Sequence, residues 1–123
     1  MVKILDEKTL KAWEKAQIAI EGQDEWRKDA CGAWINKDQY GEETQYGWGI
    51  DHIFPIAQGG TDHIDNRRAF HWKNNRSKGS DFPTYTSAVT SDGQTNVDKE
   101  NRKTVHEDTI EKLKLIYPQI KTK

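Results

Sequence analysis

Between Asp6 and Ile20, Leu10, Trp13, Gln17 and Ile20 recur at helical spacing, with Asp6 or Thr9 available as an N-cap and Gly22 as a stop. This pattern predicts a helix over 6–20 that packs on the rest of the domain. Cys31 to Ile35 is short, apolar and extended in character, and the polar residues around Gly41 predict a loop. From Gln45 to Ile53, Tyr46, Trp48 and Ile50 alternate with small or polar residues, which is the period of a strand. Pro55 and Gly59-Gly60 then force a turn. A second short strand is expected over Asn66–Phe70, and a short helix from His71 until Gly79 stops it. Asp92-Gly93, between Thr86–Thr90 and Thr95–Val97, is a β-hairpin signal. Thr104 and Glu107 fit a capping box for a last helix carrying Ile110, Leu113 and Ile116, which ends before Pro118. The order is that of one α+β domain spanning residues 1–123.

Composition changes this picture at one point. Leu, Ile, Val and Phe supply only 22 of 123 residues, a level at which disorder becomes plausible, but 19 basic against 20 acidic groups leave a net charge of −1, so the charge condition for disorder fails. Five Trp and four Tyr supply large buried areas to a small core. No apolar run of membrane-spanning length and no signal-peptide core occurs, which excludes a membrane span and predicts a cytoplasmic protein. The lone Cys31 excludes an internal disulfide framework. Charge is unevenly spread: Asn66–Ser80 holds five basic residues and no acid, leaving 14 basic and 20 acidic residues, or −6, for the remainder. Such a stripe suits a few phosphates, although a solvated basic face is the plainer reading.

The segment richest in chemistry runs from Trp48 to Gly79. Asp51 and His52 are adjacent, so they can share a site only where a strand ends and the backbone turns. His71, Asn75 and Lys78 are spaced four and three apart, on one helix face. A carboxylate and an Asn carbonyl are hard oxygen ligands suited to Mg²⁺. A neutral His52 can take a proton from an attacking water, and a cation polarises the phosphoryl group. Together these groups could cut a phosphodiester.

At these residues the chain resembles the HNH endonuclease family. The match covers Asp51-His52-Ile53, Pro55, Gly59-Gly60, the central Asn66, and Asn75 with Lys78-Gly79 beyond it. The resemblance implies a small ββα-metal core over about residues 46–80, a β-hairpin plus short helix, flanked by N- and C-terminal helices. It implies that His52 is the general base, that Asp51 and Asn75 hold a single Mg²⁺ or Mn²⁺, and that Asn66 holds the loop bearing His52. The implied substrate is double-stranded DNA, with Arg67, Lys73, Arg76 and Lys78 as phosphate contacts and a homodimer as one way to reach both strands. Three departures stand out. Cys31-x-x-Trp34 and His71-x-x-Asn74 stand where many members carry zinc-binding Cys pairs, so structural zinc is not expected; aromatic packing by Trp34, Trp48, Phe70 and Trp72 could replace it. Gly49 stands where an acid is frequent, and Asn75 favours Mg²⁺ or Mn²⁺ over Zn²⁺. The competing expectations are a catalytically silent nucleic-acid-binding module or subunit on the same scaffold, and a nuclease of RNA.

Overall fold

A computed structural model describes residues 3–121. The first helix, α1 (Glu7–Glu14), starts where expected, because the Asp6 carboxylate accepts the Thr9 amide at 2.8 Å. It ends earlier than its periodicity suggests. Residues 17–20 form a strand instead, β1 (Gln17–Ile20), paired antiparallel with β2 (Gln23–Lys28) across a tight turn in which Gly22 has φ +79°. Two causes act together. Ile18 and Ile20 are β-branched and suit a pleated surface, and the Arg27 guanidinium bonds the carbonyls of Glu14 and Ala16, the groups a continuing helix would use.

The remaining elements are β3 (Trp34–Asn36), β4 (Trp48–His52), β5 (Arg67–His71), α2 (Trp72–Lys78), β6 (Thr84–Asp92), β7 (Thr95–Thr104) and α3 (Glu107–Ile116). They make three small antiparallel sheets, β1-β2-β3, β4-β5 and β6-β7, with three helices. The fold is α+β. The β6-β7 hairpin turns at Gly93-Gln94, one residue beyond the expected Asp92-Gly93, and its strands are longer than the turn signal suggested. The last helix is capped by His106, whose Nδ1 accepts the Asp108 amide; Thr104 is still in β7, so the expected capping box does not form. None of the helices among the described residues is long and apolar enough to cross a membrane.

The β4-β5 hairpin lies between two cores. Trp48 and Ala69 pack with Trp13 and Ile35, while Phe70 faces Tyr85, Leu113, Ile53 and Phe54. Strand alternation sends neighbouring side chains to these opposite sides, so the pattern that sets the hairpin register also decides where each polar residue must go. Trp13 and Trp48 are fully buried, 5.1 Å between ring centroids.

One carboxylate joins the turn before β3 to the start of α2. Buried Asp29 accepts the amides of Cys31 and Ala33 on Oδ1, and the His71 amide and Asn74 Nδ2 on Oδ2. Asn74 in turn accepts the amides of Ala88 and Val89, tying α2 to β6. Cys31 itself sits against the Tyr85 hydroxyl at 3.7 Å, its thiol pushed up to about 11 chiefly by burial. Asp29→Ala leaves three buried backbone amides without an acceptor, while Asn74 Nδ2 keeps the Val89 carbonyl, so urea denaturation should show a loss of about 3–5 kcal/mol. A loss below about 1 kcal/mol would show that this junction holds without it.

Candidate functional site

The loop after β4 is built around Asn66, which has no exposed surface. Its Oδ1 accepts the Phe54 amide at 2.7 Å, and its Nδ2 donates to the carbonyls of Phe54 and Thr61, both at 2.9 Å. Its own carbonyl accepts the Ile53 amide. Only glycine fits at 60, where a Cβ would lie 1.9 Å from the Phe54 carbonyl oxygen. Residues 53–61 are thereby folded back on the end of β4, beside His52.

Asp51 and His52 lie on opposite faces of β4 and join different networks. Asp51 points under α2, 2% exposed, where Oδ2 accepts Arg68 Nε at 2.8 Å and Oδ1 meets Lys78 Nζ at 3.2 Å. The Lys78 ammonium also donates to the carbonyls of His52 and Ile53 and has no exposed side-chain surface. Burial lowers its pKa despite Asp51, whereas for Arg68 burial is outweighed by Asp51 and the pKa rises. The Arg68 guanidinium lies 4.3 Å from the Phe70 ring centroid.

His52 turns to the α1 side, its Nε2 2.8 Å from Asp62 Oδ1. Asp62 also bonds Lys8 and Arg67, and these three partners, Lys8 foremost, hold its carboxyl below the ordinary range. An ionised Asp62 favours the proton on Nε2 of a neutral His52, which places the lone pair on Nδ1. Nδ1 has no protein partner among the described residues. An imidazole oriented by a carboxylate, with its other nitrogen free, is the arrangement that general-base chemistry needs.

Asn75, the other expected ligand, forms no hydrogen bond with Asp51. Its Nδ2 donates to the Ile50 carbonyl at 3.1 Å, and it lines a cavity of about 480 Å³ with Gly49, Trp72 and Arg76. A Cβ at Gly49 would stand 3.8 Å from this amide, so a longer side chain at 49 would face Asn75. The structure thus gathers Asp51, Asn75, Arg68 and Lys78 about α2, and His52, Asp62 and Arg67 near α1. It does not bring His52 onto Asp51.

The phosphate contacts expected from the basic stripe are all engaged within the chain. Arg67 pairs with Asp62, Lys73 with Asp98, Arg76 with Glu43 and Lys78 with Asp51. Exposed Arg76 can exchange its partner for a phosphate at little cost, whereas buried Lys78 cannot leave Asp51 without uncovering a charge. Two residues absent from the expected set prove central to the geometry. Arg68 stands directly across the hairpin from Asp51, a pairing that the strand register alone could have suggested. Asp62 lies in the loop four residues before Asn66, where spacing carried no signal.

A divalent cation fits this chain by donor chemistry and is opposed by charge. The Asp51 carboxylate and the Asn75 amide oxygen are hard donors, suited to Mg²⁺ or Mn²⁺. Against them, one carboxylate already faces two cations, so an entering ion has to take Oδ1 from Lys78. Anionic substrate oxygens would complete both the shell and the charge balance. No group of three or more His, Cys, Asp or Glu among the described residues could hold a metal alone.

Comparison with protein-family models, curated proteins and solved structures found no match.

Asn66→Ala removes three side-chain hydrogen bonds from a buried loop and should cost about 2–4 kcal/mol in urea denaturation, with faster amide exchange at Phe54 than in β6. Unchanged exchange at Phe54 would show that Asn66 is not what holds the loop.

Proposed function

We propose that this chain is a metal-dependent endonuclease of the HNH type that hydrolyses phosphodiester bonds in double-stranded DNA. The observation that carries the reading is the His52–Asp62 pair at the end of β4, beside a loop held by Asn66. In this reading β4, β5 and α2 are a ββα-metal core. His52 takes the proton of the attacking water on Nδ1, and Asp62 steadies the imidazolium that results. Asn66 keeps the loop, and so the imidazole, in place. Asp51 and Asn75 would hold Mg²⁺ or Mn²⁺, which when bound neutralises charge growing on the leaving oxygen.

A second reading rests on Asp51. Its two buried cations suit a scaffold that binds nucleic acid without cutting it, as a silent module or subunit. The two readings separate on supercoiled plasmid. The nuclease reading expects Mg²⁺- or Mn²⁺-dependent nicking, stopped by EDTA and reduced by on the order of 100-fold or more in His52→Ala, the usual scale for losing a general base. Equal cutting by wild type and His52→Ala would remove His52 from its role. A gel shift with no cleavage under any divalent ion would select the silent module, and a parallel digestion of RNA tests the polymer.

A further inference from the structure

The cations of the 66–80 stripe are ion-paired, and four lysines without an ion pair gather elsewhere. Two cavities of about 560 and 550 Å³ share Lys15, Ala30, Arg68 and Lys103 and so form one cleft along the outer edge of β5. Lys28 lines one end and Lys112 the other. Lys15, Lys28, Lys103 and Lys112 form no ion pair among the described residues. Two carboxylates oppose these five cations. Asp29 is consumed by its four donors, which leaves Asp65 as the free acid of the cleft. Lys15 is anchored on the carbonyls of Ile64 and Arg67. At the floor, Arg68 is fixed by Asp51 through Nε, and its Nη2 is buried with no hydrogen-bond partner.

We propose that this cleft is an anion site that carries the phosphodiester backbone of a nucleic acid, with Arg68 at its floor and Lys28, Lys103 and Lys112 along its walls. A buried guanidinium nitrogen without an acceptor is costly, and a phosphate oxygen satisfies it in the charge-assisted geometry Arg favours. Spread over two joined cavities, the lysines suit successive phosphates better than a single small anion. The proposal rests on the nucleic-acid reading above only for the polymer, and, Arg68 apart, it assigns the contacts to residues outside the hairpin and α2 stripe.

The test is fluorescence anisotropy with a labelled DNA duplex in EDTA, over a range of salt, on the full chain. The triple variant Lys28→Gln/Lys103→Gln/Lys112→Gln should bind on the order of tenfold or more weakly at low salt, its log K against log[salt] slope falling by about one per lysine. The control Lys73→Gln/Arg76→Gln, which alters exposed, already paired stripe residues, should change affinity less. Circular dichroism checks that both variants fold. If wild type binds duplex and the triple variant binds equally well, the cleft assignment is overturned while the nucleic-acid reading stands. If wild type binds neither duplex DNA nor RNA, both fall. Pyrophosphate that binds at micromolar concentration while duplex affinity is unaffected by the triple variant would also overturn the backbone assignment.

Discussion

The buried Asp51 carboxylate, held between Arg68 and Lys78, is the interaction on which the packing of β4, β5 and α2 turns. It joins one residue from each strand of the β4-β5 hairpin to the end of α2. Arg68 is pressed against Phe70 and Tyr85, and Lys78 closes on the backbone of residues 52 and 53. Removing one member would strand charge in a dry interior, a far larger penalty than losing a surface pair. The proposed metal would use the same carboxylate, and would then compete with Lys78 for it.

Strand geometry explains why the two adjacent residues of the motif part company. With apolar cores on both sides of the hairpin, Asp51 must face α2 and His52 must face α1. His52 therefore acquires its own carboxylate, Asp62, brought in by the loop that Asn66 and Gly60 fold back. His52 and Asp51 thus stand on opposite sides of the strand end, each in its own network.

Much of the hairpin and helix was legible from residue order. The alternation at Tyr46, Trp48 and Ile50, the turn residues at 55, 59 and 60, and the stop at Gly79 correspond to β4, the loop and α2, within a few residues at each boundary. The N-terminal region was not. Ile20 fits a helical period and, with Ile18, a strand, and what decides is Arg27, a cation 13 and 11 residues further on that takes the carbonyls of Glu14 and Ala16. Motif spacing singled out Asp51, His52, Asn66 and Asn75 but could not show which charges would meet. Arg68 read as one cation of a stripe, and Asp29 and Asp62 as ordinary acids. Their roles come from register and tertiary closure. The stripe itself looked like a phosphate track because its acidic partners, Glu43, Asp51, Asp62 and Asp98, all lie outside residues 66–80.

Once those pairs are counted, cationic surface is left along the edge of β5, while Asp51 keeps the hairpin closed on α2. The rivalry between Lys78 and a divalent ion for Asp51 is open to a direct measurement, Mn²⁺ titration of the folded protein followed by electron paramagnetic resonance in wild type and Lys78→Met. Methionine keeps the buried stem and removes the charge. The account predicts Mn²⁺ binding tighter by on the order of tenfold in the variant, equivalent to about 1.4 kcal/mol. Equal or weaker binding in a folded Lys78→Met protein would contradict it, and would place any metal away from Asp51.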